Sequence, residues 1–271
     1  MSQQAQADVE DAATQAIFTC PHRFRDQVVV VTGAAGGIGS AIIARAAREG
    51  AHVVAADRRP DGEQLVRNFL GHDAPEWLYV DEDLAHEAGA HQLIDTAVER
   101  FGRVDVLVNN AGGGIIRPFL QHTMDTARET VDRNLWTVVN CSRSVLPPMR
   151  AAGYGRIVNV GADSVRNGLF EHAMYNAAKG GVHALTTGLA REFAPDGITV
   201  NTVAPTGTIT PYVASQPADA VGRFAKNRAL IPMDRFATTE EVCSAVLYLA
   251  SREASFVTGQ VISVNGGSTM L

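Results

Sequence analysis

The sequence contains 271 residues, of which 46% are hydrophobic and 19% are charged. A chain of this length and composition can bury a substantial core, which excludes a largely disordered protein and favours one large α/β domain. The formal net charge is −6 and no Lys/Arg-rich run occurs, so we do not expect a nucleic-acid partner.

The sequence carries no signal for a membrane or a metal. No apolar run approaches the roughly 20 residues needed to cross a bilayer, and the opening stretch MSQQAQADVEDAATQ is polar and acidic. We therefore expect a cytoplasmic protein without a membrane partner. Three cysteines, Cys20, Cys141 and Cys243, are widely spaced and eight histidines are scattered, so we predict neither disulfides nor a metal site.

Strands and helices are predicted to alternate along most of the chain. Residues 1–24 lack a sustained apolar period, and we interpret them as a flexible extension before a folded domain at 25–271. The predicted strands are 28–32, 52–57, 77–81, 104–110, 156–160, 198–203 and 260–264. The predicted helices are 38–49, 62–70, 86–101, 124–149, 172–193 and 239–250, with the fourth interrupted near Pro147 and Pro148.

Continuous Val/Ile/Leu strands between amphipathic helices are typical of parallel strands covered on both faces. The sequence therefore predicts a single-domain Rossmann fold, a doubly wound parallel sheet of about seven strands with helices on both faces. The proline-broken segment 205–236 is too long for a simple connection, and we predict that it forms a substrate lid.

The segment TGAAGGIG follows the first strand and contains Gly33, Gly37 and Gly39, with Ile38 opening the next helix. Glycines let a ligand's phosphates approach the backbone, and a helix N-terminus attracts their charge, so we predict a pyrophosphate site. Asp57 ends the second strand, where a carboxylate binds ribose hydroxyls and repels a 2′-phosphate. NAD is therefore the expected cofactor, although Arg58 leaves NADP as an alternative.

Tyr175 and Lys179 are four residues apart in a predicted helix and share one face. Free tyrosine titrates near 10, so it can act as a base at neutral pH only where nearby positive charge favours the phenolate. Lys179 can supply that charge. Beside a dinucleotide site, the pair predicts acid/base catalysis of a hydride transfer.

Several spaced motifs together resemble the short-chain dehydrogenase/reductase family from about residue 24 to 267. They are TGAAGGIG at 32–39, Asp83-Leu84, NNAGG at 109–113, Asn134, YNAAK at 175–179 and the ending VTGQVISVNGG. The resemblance implies that Tyr175 is the acid/base, that Lys179 binds the nicotinamide ribose and lowers the tyrosine pKa, and that Asn134 holds a relay water.

The resemblance also implies the cofactor contacts. Asp83 and Leu84 would flank the adenine, and Thr206 stands where the family usually has glycine. The remaining residues implied for the cofactor cleft are Asn109, Asn110, Ala111, Gly112, Pro205, Thr208 and Thr210.

Ala162 departs from the family pattern, which usually has a serine thirteen residues before the tyrosine. Loss of such a hydrogen-bond donor can lower turnover by orders of magnitude. Ser164 or Asp163 could replace the donor, or the substrate could bring a neighbouring hydroxyl, or the protein could be a non-enzymatic dinucleotide-binding regulator. We favour Ser164, because an ionised carboxylate cannot donate.

The stretch NNAGGGIIRPF resembles bacterial dehydrogenases of cis-dihydrodiols and ring hydroxy acids, whereas the C-terminal third resembles 3-oxoacyl carrier-protein reductases. Because the latter usually use NADPH, we expect NAD-dependent oxidation of a secondary or cyclic alcohol, with the NADP-dependent reductase as the alternative. The resemblance also implies a dimer or tetramer formed through the helices at 124–149 and 173–193 and through the C-terminal strand, and we expect a homotetramer.

Overall fold

A computed structural model of the chain describes residues 20–71, 74–214 and 225–270. Its strands are β1 (Val28–Thr32), β2 (His52–Ala56), β3 (Trp77–Val80), β4 (Val106–Asn109), β5 (Gly155–Val160), β6 (Ile198–Pro205), β7 (Thr208–Ile209), β8 (Ala237–Thr238) and β9 (Val261–Val264). Its α-helices include α1 (Gly37–Arg48), α2 (Gly62–Leu70), α3 (Glu87–Phe101), α4 (Met124–Val131), α5 (Thr137–Ala152), α6 (Ser164–Asn167), α7 (Ala173–Phe193), α8 (Pro211–Ala214) and α9 (Thr239–Ala250).

The central sheet has seven strands in the order β3-β2-β1-β4-β5-β6-β9. All of its strand pairs are parallel. The predicted doubly wound sheet is confirmed. The chain order reverses between β1 and β4, and in such sheets a crevice for ligands opens at this switch point, beyond the carboxyl ends of the strands.

Two apolar layers cover the two faces of the sheet. Side chains alternate along a strand, so β1 sends Val29 and Val31 into one layer and Val28 and Val30 into the other. The first layer includes residues of α1 and α9, and the second includes residues of α3 and α5. This packing on both sides explains why every residue of β1 is buried.

The predicted helix at 124–149 is interrupted in a different place from the one expected. It divides into α4 and α5 at a π-helical turn, Asp132–Trp136, and α5 runs through Pro147 and Pro148 to Ala152. Each proline removes a backbone hydrogen bond. The helix continues because its inner side, including Val145 and Met149, is buried in the core, and tertiary packing provides most helical stability.

The predicted lid is held at both ends by a small sheet that sequence reasoning missed. Strands β7 and β8 pair in parallel, Thr208 with Ala237 and Ile209 with Thr238. The lid thus leaves the body and returns to it at the same place. Residues 215–224 of the lid lie outside the described residues.

Two residues just before the predicted boundary at residue 25 pack against the described domain. Phe24 is 0% exposed, and its N–H donates to the carbonyl of Glu49 at 3.0 Å. Arg23 adds an ion pair with the buried Glu49 carboxylate at 3.3 Å. Residues 1–19 of the predicted extension lie outside the described residues. Within the described ranges, no helix is both long and apolar enough to cross a membrane.

Candidate active site

A cleft of about 620 Å³ opens beyond the carboxyl ends of the central strands. Most of the predicted site residues line it: Gly33, Gly37, Ile38, Asp57, Asn110, Ala111, Gly112, Ser164, Tyr175, Lys179, Pro205, Thr208 and Thr210. Asp83 and Leu84 line an adjoining cavity of about 180 Å³, which shares Gly33 and Asp57 with the cleft. The fold therefore brings together residues predicted from seven separate segments of the sequence.

The glycine-rich loop is shaped by close backbone approach. Gly33 has φ +64, and a Cβ there would lie 2.9 Å from the Cα of Ala111. A Cβ on Gly39 would overlap the carbonyl oxygen of Gly33. Gly39 is buried, does not line the cleft and packs α1 against the loop. The motif instead predicts a contact between Gly39 and the cofactor.

Asn110 and Thr32 fasten the NNAGG segment to the glycine-rich loop. The Asn110 amide donates to the carbonyls of Thr32 and Gly33, both at 3.0 Å. The Thr32 hydroxyl accepts from the N–H groups of Asn110 and Ala111 at 3.0 and 2.9 Å. Asn109, expected in the cleft wall, is buried instead and donates to Asn159 at 2.9 Å.

Asp57 lies at the end of β2, where the cleft meets the smaller cavity. Its carboxylate accepts from the N–H of Ala35 at 3.0 Å and from the N–H of Arg59 at 3.1 Å. Arg58, the cation noted in the sequence, pairs with Asp83 at 3.5 Å. Arg59, rather than Arg58, lines the main cleft, with its guanidinium 3.4 Å from the carbonyl of Ala35.

Tyr175 and Lys179 share the cleft wall on one side of α7. The Lys179 ammonium lies 5.9 Å from the Tyr175 ring centroid and donates to the carbonyl of Val160 at 2.7 Å. Burial lowers the pKa of Lys179 to about 8. Burial also raises the pKa of Tyr175 to about 12. Desolvation thus sets a direction opposite to the lowering that the family resemblance implies.

Asn134 lies in the π-helical turn and is fully buried behind the cleft. Its amide donates to the carbonyls of Gly113 at 3.0 Å and Thr130 at 2.8 Å, and its oxygen accepts from the N–H of Gly113 at 3.1 Å. The π turn thus positions the side-chain amide of Asn134, which holds the NNAGG segment through Gly113. A π turn inside an α-helix is frequent at functional sites.

At position 162, where the family usually has a serine hydroxyl, this chain has the methyl group of an alanine. Ala162 lines the cleft, and its N–H donates to His183 at 3.5 Å. Burial, followed by the charges of Arg166 and Lys179, lowers the pKa of His183 to about 4, so this ring is neutral. A neutral ring can accept the N–H of Ala162.

The two residues proposed to replace the serine have different surroundings. Asp163 is fully buried and binds the C-terminal segment, accepting from Ser263, Asn265, Ser268 and Thr269. It does not line the cleft. Ser164 does line the cleft, but its hydroxyl donates to Asn176 at 2.6 Å. Donation from Ser164 to a substrate would require release from Asn176.

The cleft also contains residues that sequence reasoning missed. They come from the loop before α7, from the lid and from the C-terminus: Asn167, Leu169, His172, Asn227, Phe236 and Ser268. No motif marks these positions, and only their proximity to Tyr175 or to the lid could have suggested them. Of the lid residues, Val213 and Leu230 line the cleft. Arg228 does not line it and forms an ion pair with Asp234 at 3.2 Å.

The glycine-rich loop and its helix fit a dinucleotide. The N-cap of α1, Gly36, offers no side-chain cap, and the first turn of α1 contains no acidic residue. Its free N–H groups therefore favour an anion such as a pyrophosphate. Among the described residues, no group of His, Cys, Asp and Glu side chains could hold a metal ion. The fold and site are thus those of a dinucleotide-dependent oxidoreductase.

Comparison with known proteins gives the family. The family described as enoyl-(acyl carrier protein) reductase matches residues 33–269. The 2,3-dihydroxy-2,3-dihydro-p-cumate dehydrogenase of Pseudomonas putida is 55% identical over 249 residues, which is 90% of this chain and 95% of that protein. The cis-4-hydroxycyclohexanecarboxylate dehydrogenase of Sinomonas cyclohexanicum is 41% identical over 91% of this chain and 98% of that protein.

A solved structure agrees with these relatives. The crystal structure of levodione reductase superimposes with a TM-score of 0.83 and 31% identity, over 90% of this chain and 98% of that one. The chain belongs to the short-chain dehydrogenase/reductase family. It is an oxidoreductase of a family that uses a nicotinamide cofactor, NAD or NADP, and that acts on CH–OH groups.

Proposed function

We propose that this protein is an NAD-dependent dehydrogenase that oxidises a ring CH–OH group of a cis-dihydrodiol or ring hydroxy acid during the breakdown of aromatic compounds. The observation that carries the proposal is that one cleft is lined both by Asp57 and by the Tyr175–Lys179 pair. The two curated relatives named above support a ring alcohol as substrate.

The residues that would hold the cofactor follow from the shape of the cleft. Asp57 would accept the adenosine ribose hydroxyls, and the α1 N-terminus would bind the pyrophosphate. Asp83 and Leu84, in the adjoining cavity, would flank the adenine. Pro205, Thr208 and Thr210 would contact the nicotinamide end of the cleft. When bound, the nicotinamide supplies the acceptor for the hydride.

Tyr175 would take the proton of the substrate hydroxyl as the carbon is oxidised. A pKa of about 12 makes Tyr175 a poor base at neutral pH, so catalysis requires positive charge near the phenolate. Lys179 is the buried cation on the same side of α7. Asn134 would position the neighbouring loop and hold a relay water through the second lone pair of its oxygen.

Ser164 remains our proposal for the donor that replaces the missing serine. It lies in the cleft wall, and rotation of its hydroxyl away from Asn176 would turn the proton towards a substrate oxygen. We also propose a homotetramer that buries the outer faces of α5 and α7. Because the nicotinamide pool and aromatic breakdown are intracellular, the cytoplasm is the location that we propose.

Two other functions remain open to test. An NADP-dependent 3-oxoacyl reductase would need a cation for the 2′-phosphate, and Arg59 lines the cleft near Asp57. A non-enzymatic regulator would bind the dinucleotide without turnover, as the methyl group of Ala162 allows. The negative charge of Asp57 disfavours the first alternative, and the Tyr175–Lys179 pair disfavours the second.

The test is a titration with NADH and NADPH, followed by turnover assays. The panel contains a cyclohexadiene cis-diol carboxylate, cis-4-hydroxycyclohexanecarboxylate and a 3-oxoacyl thioester, each with both cofactors. We expect tighter binding of NADH, turnover of ring alcohols, and loss of turnover but not of NADH binding in Tyr175→Phe. The control is Tyr248→Phe, because that tyrosine is exposed on α9. Preference for NADPH and the thioester would support the reductase, and binding without any turnover would support the regulator.

A further inference from the structure

His172 lies three residues before Tyr175, where the loop after α6 enters α7. It lines the main cleft and also a neighbouring cavity of about 420 Å³, whose other walls include Pro118, Phe119 and Leu169. Its ring meets the ring of Tyr175 edge to face, with 6.0 Å between the centroids. The imidazole is therefore part of the wall beside the acid/base.

The hydrogen bond of His172 determines which of its two ring nitrogens carries the proton. Nδ1 lies 2.7 Å from the carbonyl oxygen of Phe170. A carbonyl can only accept, so Nδ1 carries the proton and Nε2 of the neutral ring is an acceptor. Within the part of the chain that the structure describes, Nε2 has no hydrogen-bond partner and is not enclosed.

Three polar residues considered for the site are already engaged in hydrogen bonds. The Ser164 hydroxyl donates to Asn176, and the amide of Asn134 is used by Gly113 and Thr130. Asp163 is enclosed by the C-terminal segment. His172 thus offers an open acceptor beside Tyr175, at a place where the substrate side of the cleft lacks the serine hydroxyl.

We propose that His172 is a specificity-determining residue that binds the second hydroxyl of a vicinal cis-diol. While Tyr175 takes the proton of the hydroxyl being oxidised, Nε2 of His172 accepts a hydrogen bond from the hydroxyl on the adjacent ring carbon. The two hydroxyls of a cis-diol are about 3 Å apart, a spacing that two hydrogen-bonding side chains in ring contact can bridge. The inference rests on the proposed function, since it requires a ring alcohol as substrate.

The experiment compares a diol with an alcohol that has one isolated hydroxyl. His172→Phe and His172→Gln are assayed with NAD on the cyclohexadiene cis-diol carboxylate and on cis-4-hydroxycyclohexanecarboxylate. Phenylalanine keeps the ring and removes the acceptor, whereas the glutamine amide can present an oxygen near the position of Nε2. His91→Phe is the matched control, because His91 is exposed on α3.

We expect kcat/KM of His172→Phe to fall about 10- to 100-fold on the diol and less than about threefold on the isolated alcohol, as for one lost substrate hydrogen bond. His172→Gln should recover part of the diol activity, and NADH binding should not change. An equal loss on both substrates, or no loss on the diol, would overturn the role of His172 while leaving the proposed function in place. Failure of the unaltered protein to oxidise either alcohol would overturn the proposed function and this inference with it.

Discussion

Asp57 places a negative charge where the adenosine ribose would bind. A phosphate on the ribose would lie near this carboxylate, and like charges a few ångströms apart at a protein surface repel by about 1–4 kcal/mol. We predict that Asp57→Asn, which keeps the shape and one acceptor oxygen, shifts the NAD/NADP ratio of kcat/KM towards NADP by about 10- to 100-fold.

The cation for the phosphate is already present, because the guanidinium of Arg59 approaches Ala35 in the same part of the cleft. Steady-state kinetics with both cofactors measures the shift. Asp95→Asn is the matched control, since that carboxylate is exposed on α3 and does not line the cleft. An unchanged ratio in Asp57→Asn would show that cofactor choice is made elsewhere.

A second prediction for single residues concerns Ala162 and Ser164. If Ser164 supplies the missing donor, Ser164→Ala should lower kcat by about 10- to 100-fold with little change in NADH affinity, which is the effect expected of a donor used in the transition state. Ala162→Ser in that background should restore part of kcat, because Ala162 lines the cleft. Single-turnover kinetics of the three proteins provides the measurement.

A different pattern would assign the donor otherwise. If Ser164→Ala leaves kcat unchanged, the Ser164 hydroxyl serves only to hold Asn176, to which it donates at 2.6 Å. Asn176→Ala is the control for that structural role, since it removes the acceptor and leaves the hydroxyl in place.

Lys179, for which we propose a catalytic role, also affects the stability of the fold. Its pKa falls from 10.5 to about 8 on burial, which corresponds to a cost of about 3 kcal/mol while the side chain is charged in both states. Between these two values the unfolded chain binds more protons than the folded one, so this residue's contribution to stability improves as pH rises from 8 towards 10.5.

Lys179→Met should therefore abolish turnover but stabilise the fold more at pH 7 than at pH 10. The variant also loses the bond to Val160, which is stronger at pH 7, where the lysine donor is charged, and this loss offsets part of the predicted difference. Denaturant unfolding of both proteins at the two pH values gives the difference, with the exposed Lys226→Met as control. An equal change in stability at pH 7 and pH 10 would contradict the lowered pKa.

At the scale of elements, the turn from β1 into α1 depends on the absence of one side chain. A Cβ at Gly39 would overlap the Gly33 carbonyl oxygen and lie 2.8 Å from the Asn110 amide nitrogen. Neither group can easily move, because the first belongs to the backbone and the second is hydrogen-bonded to it. We predict that Gly39→Ala lowers the free energy of unfolding by about 1–3 kcal/mol and weakens NADH binding at the same time.

Gly113→Ala is the matched control, because a Cβ there would meet nothing within 4 Å. It should leave the free energy of unfolding almost unchanged. Denaturant unfolding and a fluorescence titration with NADH separate the two effects. Gly39→Ala with normal stability and normal NADH binding would show that the loop can open without consequence.

The elements that the sequence predicted well are those with a strong periodic pattern. The buried strand VVVVT and the capped helix α9 lie at the predicted residues, because apolar runs and a Thr238/Glu241 capping box are local signals. The π turn at Asp132–Trp136 and the continuation of α5 through two prolines could not be predicted, since core packing overrides the local preference. The pairing of β7 with β8 is also non-local, as it joins the two ends of the lid.

At the scale of the whole molecule, some features of the site depend on the tertiary structure and are marked by no sequence motif. Tyr175, Lys179 and Asp57 could be found because their spacing and their strand ends follow known patterns. His172 and Ser268 reach the cleft through the path of a loop and of the C-terminal segment, which Asp163 ties down. The direction of the tyrosine pKa could not be predicted either, because it depends on burial by residues from several elements.

The outer faces of α5 and α7 leave an apolar groove of about 450 Å³. Its lining includes Leu146, Leu185 and Leu189. Exposed apolar surface of this kind is typical of subunit interfaces. If the proposed tetramer forms here, Leu185→Glu should reduce the assembly, because it would bury a charge without a partner.

Light scattering after size-exclusion chromatography measures the mass, which we expect to be four times the 28.8 kDa of one chain for the unaltered protein. Leu120→Glu is the matched control, because Leu120 is 94% exposed and does not line the groove. Smaller species in Leu185→Glu alone, with the fold intact by circular dichroism, would support assembly through α5 and α7. A tetramer that survives Leu185→Glu would require another interface, and a monomer in the unaltered protein would remove the tetramer from the proposal.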